Sequence, residues 1–141
     1  MSGSAAASTL SAEDRETIRR MTEQEWTAAT LTRDWDRTLA LCAPDVVYMP
    51  ADQPILRGHA ALRSWCDQFP RVLTFTQPLE DLEGQGNLAI ARASFSAAID
   101  VSGQRVENTG KALCWLQRDA AGRWLIKAVC WSWDRSLTPP A

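Results

Sequence analysis

The spacing of apolar residues changes period near the middle of the chain. In the first half it is helical. Ser11 and Asp14 make an S-x-x-D helix-start signal. Ile18, Met21, Thr22, Trp26 and Ala29 then share one helical face, which predicts a helix running to about Leu31. A second helix is predicted from Asp34 to about Cys42, with Trp35, Leu39 and Cys42 on one side and Pro44-Asp45 as its stop. Val46-Val47-Tyr48-Met49 is β-branched and aromatic and predicts a short strand. After the loop holding Pro50, Asp52 and Pro54, Ile55-Leu56 reads as a short return strand. Gly58 opens a third helix in which Leu62, Trp65, Cys66 and Phe69 have amphipathic spacing, and Pro70 closes it.

From Val72 onward the residues read as strands. Four are predicted, roughly Val72–Glu83, Leu88–Asp100, Arg105–Arg118 and Arg123–Asp134. Turn residues separate them: Gly84-Gln85-Gly86-Asn87, Ser102-Gly103 and Asp119-Ala120-Ala121-Gly122. These are hairpin loops, so the sheet is expected to be antiparallel. Helices first and hairpins afterwards make an α+β domain. Strands this long need a curved sheet, with bulges, to wrap three helices. Ala89, Ala91, Ala93, Phe95, Ala97 and Ile99 alternate onto one face. That face is small and apolar and leaves room for a ligand. The opposite face carries Arg92, Ser94 and Ser96 and is expected to meet solvent or a second subunit.

Composition narrows the function classes. A chain of 141 residues is one domain's worth and can bury a core without disulfides or metals. The net charge is −2 and no stretch is strongly basic, so neither nucleic acid nor an anionic membrane surface is an expected partner. No apolar run has the length of a membrane span. The opening MSGSAAAST lacks the charged-then-apolar order of a signal peptide. It is read as a flexible tail over residues 1–10, ahead of a domain over 11–141, with the cytoplasm as the expected location. The four cysteines form no CxxC motif and His59 is the one histidine. A structural zinc needs about four such ligands, so no metal is expected, and the cysteines read as buried thiols in a reducing compartment. With no glycine-rich phosphate loop or nucleophile elbow either, no cofactor is expected.

The residues with chemistry to offer are few. Seven tryptophans stand out, each a core, dimer or pocket residue. Lys111 and Lys127 are the chain's two lysines, and both sit mid-strand among apolar residues, in TGKALCW and LIKAVCW. A lysine desolvated near another cation has its ammonium disfavoured, and such an amine serves as a base or a Schiff-base nucleophile. The alternative is that one or both lie on the outer sheet face, their stems along it. Tyr48, the single tyrosine, can donate to a ligand oxygen or pack in the core. Asp52 borders the mouth in its loop, and Asp134 faces the cavity or caps the sheet. Asp45 reads as a turn former, Glu23 and Glu25 as solvated helix positions, and His59 as a surface residue of the third helix.

Four stretches in order, RDWDRTLALCAPDVVYMP, ILRGHAALRSW, GKALCWLQRDAAGRWLIKAVCWSWD and the terminal LTPP, resemble the nuclear-transport-factor-2-like (NTF2-like) superfamily. Within it the chain is similar to SnoaL-like proteins and the ketosteroid isomerases. The resemblance implies a cone-shaped curved antiparallel sheet wrapped around three N-terminal helices. It also implies an apolar pocket between them and a homodimer, here through the outer sheet face. It assigns Trp26, Met49, Trp65, Cys66, Phe95, Trp115 and Trp131 to the pocket wall and turns Lys127 toward it. The isomerases use an aspartate base with a tyrosine and a protonated acid as donors. Those positions fall on Met49, on Trp26 and near Lys111. A thioether cannot abstract a proton and an indole N–H only donates, so that route is not expected. Histidine-rich dehydratase chemistry is not expected with one histidine. Two functional readings remain. One is a cofactor-independent isomerase, cyclase or lyase acting on a small apolar or aromatic carbonyl compound, with Lys111, Lys127, Tyr48 and Asp134 as its polar groups. The other is a non-catalytic ligand-binding or dimerisation module.

Overall fold

The computed structural model describes residues 9–137. A helical rod opens the fold: α1 (Ala12–Arg19), a π-helical segment (Arg20–Glu25) and α2 (Trp26–Thr32) follow without a break. The S-x-x-D signal works as a reciprocal cap. Ser11 Oγ accepts from the Asp14 N–H at 3.0 Å, and Asp14 accepts from the Ser11 N–H at 3.3 Å. Arg33 ends the rod in the left-handed region at φ 56°. Its guanidinium donates to the carbonyls of Phe69 and Asp67, which ties the rod's end to the third helix. Next come α3 (Trp35–Ala40), capped by Asp34, then β1 (Cys42–Met49), β2 (Leu56–Arg57) and α4 (Gly58–Gln68). His59, at the start of α4, is half-buried, with Nε2 at 3.1 Å from the carbonyls of both Cys42 and Ala43. It pins α4 to β1 rather than lying free on the surface.

The rest is sheet: β3 (Val72–Thr76), β4 (Leu79–Gln85), β5 (Leu88–Val101), β6 (Gln104–Arg118) and β7 (Trp124–Trp133). Strand order is β2-β1-β7-β6-β5-β3, with β4 also paired to β5. This is the expected α+β architecture of three helical units against a curved, unclosed sheet, with three corrections. The second helix ends at Ala40, and β1 begins at Cys42 and includes Pro44-Asp45, expected as that helix's stop. The sheet is mixed, because β1 runs parallel to β7 while the other pairs are antiparallel. No hairpin joins β1 to β7, so turn geometry does not dictate their relative direction. The strand expected over Val72–Glu83 is two strands, split at Gln77-Pro78. Proline offers no N–H to a ladder and bends the edge there. The break is stapled to the π segment, since Gln77 Nε2 donates to the Thr22 carbonyl (3.1 Å) and the Leu79 N–H donates to Glu23 (2.7 Å). Glu23, expected on the solvated helix face, therefore has a structural partner.

The main core cluster joins α1, α3 and α4 to the inner face of the sheet. Ile18, Leu62, Leu116 and Ile126 are almost wholly buried in it, and such burial is the main stabilising term. Residues 1–8 of the expected tail, and all of LTPP but its leucine, lie outside the described residues. Thr9 already bridges Gln85, and Leu10 is packed in the core, so ordered structure begins before Ser11.

Asp14 ties α1 to the sheet. Besides capping α1, it accepts from Trp124 Nε1 at 3.0 Å and from Arg118 at 2.7 Å. Burial raises the carboxyl's pKa, but the donors Trp124, Ser11 and Arg118 outweigh it and leave it below the ordinary value. Asp14→Ala removes the cap and strands the buried Trp124 N–H, so we expect a loss of about 2 kcal/mol in urea denaturation. Because the folded pKa is the lower one, the wild-type contribution is complete above the unfolded value. It fades as pH falls below about 4, a pH dependence that the variant should lack.

Candidate functional site

Between sheet and helices lies a cavity of about 100 Å³. Its floor is the inner face of β5 and β6. Ala91, Ala93, Ala97 and Ala112 line it, and across the ladder Ala93 faces Ala112 while Phe95 faces Gly110. The Phe95 ring lies directly over Gly110. A Cβ added at Gly110 would stand 2.2 Å from Phe95 Cζ, so only glycine lets that ring lie against the sheet.

The walls are aromatic. Trp26 of α2 stacks on Tyr48 of β1 (centroids 6.3 Å apart), and Tyr48 meets Trp65 of α4 at 5.0 Å. Trp65 touches Phe69 and Trp131, and Trp131, Trp133 and Phe95 close the ring edge to face at 5.2–5.7 Å. One hydrogen bond crosses this wall: Trp131 Nε1 donates to the Tyr48 hydroxyl at 2.8 Å. Burial, and secondarily the neighbouring Cys66 thiol, drive the Tyr48 pKa well above that of a free phenol. The hydroxyl keeps its proton, and among the described residues no acceptor takes it. Cys66 and Cys114 also line the space. Burial pushes the Cys66 thiol up to about 12 and raises Cys114 as well, so both are neutral thiols and poor nucleophiles.

Of the residues singled out from sequence, Trp26, Tyr48, Trp65, Cys66, Phe95 and Trp131 line the cavity. Five do not. Met49 follows inward-facing Tyr48 on β1 and so points to the opposite side. Trp115 lies on the outer face of β6, in line with Lys111 and Leu113, and is 40% exposed. Lys111 is bonded there to Asp134 at 2.8 Å, and Thr109 donates to the same carboxylate at 2.6 Å. These donors, Lys111 first, hold the Asp134 pKa down. Lys127 is paired with Asp45 of β1, whose pKa that hydrogen bond lowers. Asp45, expected as a turn former, is thus also an ion-pair partner. The reason for the position of Lys127 is a bulge. Trp115 faces Ala128 and Leu116 faces Ile126, so Lys127 is an extra residue that breaks the alternation. Asp52 is exposed at φ 58° and is not part of the lining. Neither lysine is among the lining residues, and of the two placements open from sequence both take the outer sheet face.

Sequence reasoning missed Phe69, Phe75, Gln77, Thr38, Cys114 and Trp133 as lining residues. Two were legible: Trp133 is two residues from Trp131 on a strand, and Phe69 four from Trp65 on a helix. Thr38 carried no signal. Among the described residues, no group of three or more His, Cys, Asp or Glu side chains is placed to hold a metal ion.

Comparison with known proteins agrees with this architecture. Solved structures with the same fold include a ketosteroid isomerase-like protein from Erwinia carotovora atroseptica (TM-score 0.73, 17% identity, 79% of this chain and 90% of that one). Another is a protein with a cystatin-like fold from Nostoc punctiforme (TM-score 0.75, 18% identity, 92% and 97%). A third is an NTF2-like protein from Novosphingobium aromaticivorans (TM-score 0.70, 20% identity, 91% and 90%). The fold is therefore NTF2-like. Within that class the chain belongs to the SnoaL-like domain family, whose sequence profile matches residues 15–125. No curated protein matches it by sequence.

Tyr48 is the single tyrosine, so its titration can be followed without interference. With its pKa raised by burial, its contribution to stability is complete below the free-phenol value near 10 and is lost as pH rises. In an alkaline absorbance titration, tyrosinate should appear only together with unfolding. Ionisation near pH 10 in the folded protein would contradict the buried, Trp131-bonded hydroxyl.

Proposed function

We propose that this protein binds a small, neutral, largely apolar molecule in the cavity, with a ligand oxygen accepting a hydrogen bond from Tyr48. The observation that carries this reading is that, among the described residues, no charged side chain lines the cavity. An ion entering such a space leaves water without finding a partner and loses several kcal/mol. A neutral ring exchanges water for aromatic and alanine surface. A volume of about 100 Å³ suits a ligand of one ring, since apolar cavities of ~150 Å³ take up benzene. The lining supplies hydrogen-bond donors but no carboxylate, imidazole or amine to act as a general base. That favours binding over isomerase or lyase chemistry. Family membership and the ketosteroid isomerase-like neighbour support a small-molecule role, while the fold by itself does not name a reaction.

We also infer that a second copy packs on the outer sheet face. Leu88, Ile90, Leu113 and Trp115 are 39–51% exposed there, with Ile90 directly opposite Trp115. A contiguous apolar surface of this kind is characteristic of an interface. Four free cysteines suit a reducing compartment such as the cytoplasm. A net charge of −2 gives no footing for nucleic acid, and no helix among the described residues is long and apolar enough to cross a membrane.

Calorimetric titration tests the cavity. Benzaldehyde should bind, and benzoate, similar in shape but charged, should bind about 100-fold more weakly or not at all. Ala93→Leu should fill the cavity and abolish benzaldehyde binding in a protein that still melts cooperatively. Equal affinity for the two probes, or binding untouched by Ala93→Leu, would end this reading. For the second copy, light scattering should give a dimer for the wild type and a monomer for Trp115→Lys.

A further inference from the structure

Threonine hydroxyls inside helices commonly return a hydrogen bond to the carbonyl one turn back. Thr22, Thr30 and Thr32 do so, to Ile18 (2.9 Å), Trp26 (2.8 Å) and Ala28 (2.8 Å). Thr38 does not. The carbonyl one turn back, that of Asp34, already accepts the N–H groups of Arg37 and Thr38 at 3.1 and 3.2 Å. The Thr38 hydroxyl is left without a partner among the described residues, on a side chain that is 1% exposed. Native proteins seldom leave a buried hydroxyl in that state. Thr27 shares the lack of a partner, but it is outside the cavity lining, whereas Thr38 is part of it.

Tyr48 brings a second unspent hydroxyl to the same cavity, since its oxygen accepts from Trp131 and its proton has no acceptor. The other lining groups are apolar side chains, weakly polar thiols, indoles that can only donate, and polar side chains already engaged. Thr22 and Thr30 bond within their helix, and Gln77 donates to the Thr22 carbonyl. Two lining residues, Thr38 of α3 and Tyr48 of β1, thus carry hydroxyls with hydrogen-bonding capacity that no described residue uses.

We propose that Thr38 is a specificity-determining residue. It reads a neutral oxygen, the hydroxyl or carbonyl at the leading end of a one-ring ligand, together with Tyr48. A phenol is the simplest such ligand: its oxygen accepts from Tyr48 and its proton goes to Thr38 Oγ1. The assignment rests on the reading of the cavity as a ligand site, and it adds which atom selects among neutral ligands.

The test pairs two isosteric changes. Thr38→Val replaces a hydroxyl by a methyl in the protein, and toluene in place of phenol does the same in the ligand. Both probes are titrated calorimetrically into wild type and Thr38→Val. The ratio of phenol to toluene affinity should fall about tenfold in the variant, with toluene affinity held or improved. Thr38→Ser, which keeps the hydroxyl, should keep the phenol preference, and Thr38→Ala gives a second hydroxyl-free variant should valine disturb folding. The Thr38→Val melting temperature should equal or exceed that of the wild type, as no bond within the protein is lost. If both probes bind and their ratio is the same in every variant, the assignment is overturned while the cavity remains a ligand site; a water satisfying Thr38 would give that result. If neither probe binds the wild type, the ligand-site reading and the assignment fail together.

Discussion

A single extra residue in β7 decides what the cavity is made of. Before it, Trp124 and Ile126 face the core. After it, Val129, Trp131 and Trp133 do. Without the bulge at Lys127, strict alternation from Ile126 would turn Ala128, Cys130 and Ser132 inward and put both tryptophans outside. The bulge also sends Lys127 to Asp45 on the neighbouring strand. Parallel pairing of β7 with β1, with Tyr48 opposite Val129, then sets the Tyr48 hydroxyl beside the Trp131 indole. The Tyr48 hydrogen bond and the Trp131–Trp133 part of the aromatic wall follow from that one shift in register.

A cavity is a cost to a small domain, because its lining atoms give up packing partners. Away from the cavity, helix α1 is tied to the sheet by the Asp14 bonds to Trp124 and Arg118, and Asp14 caps the helix with Ser11. Where the long helical rod passes the cavity, it adopts a π-helical segment that contributes Thr22 to the lining. The break in the edge strand at Pro78 is bonded to that same segment. Two irregularities that would each weaken the fold alone therefore support one another, and they lie at the site rather than in the core.

The separation of polar groups follows the same logic. Lys111, Asp134, Lys127 and Asp45 pair on the outside, where solvent tolerates them. Inside, only groups that stay neutral are present: a phenol and thiols whose ionisation burial suppresses, indoles, and threonine hydroxyls. No carboxylate, imidazole or amine is among the lining side chains of the described residues.

From sequence alone, the change from helical to strand spacing predicted the order of elements. The cap at Ser11, the helix from Gly58 and the inward face of β5 were legible because each depends on neighbours a few residues away. Trp26, Trp65, Cys66, Phe95 and Trp131 were legible as wall residues through the resemblance to a known superfamily. Met49 and Trp115 were misplaced, because side-chain direction on a strand reverses with a shift of one residue. The split at Pro78 was legible in the proline itself, whereas the direction of β1 and the ion pairs of the two lysines belong to the tertiary structure. They arise from partners 20 or more residues away, and no local pattern specifies those. Thr38 is the clearest instance: its residue type is ordinary for a helix, and only the folded chain leaves its hydroxyl buried without a partner among the described residues.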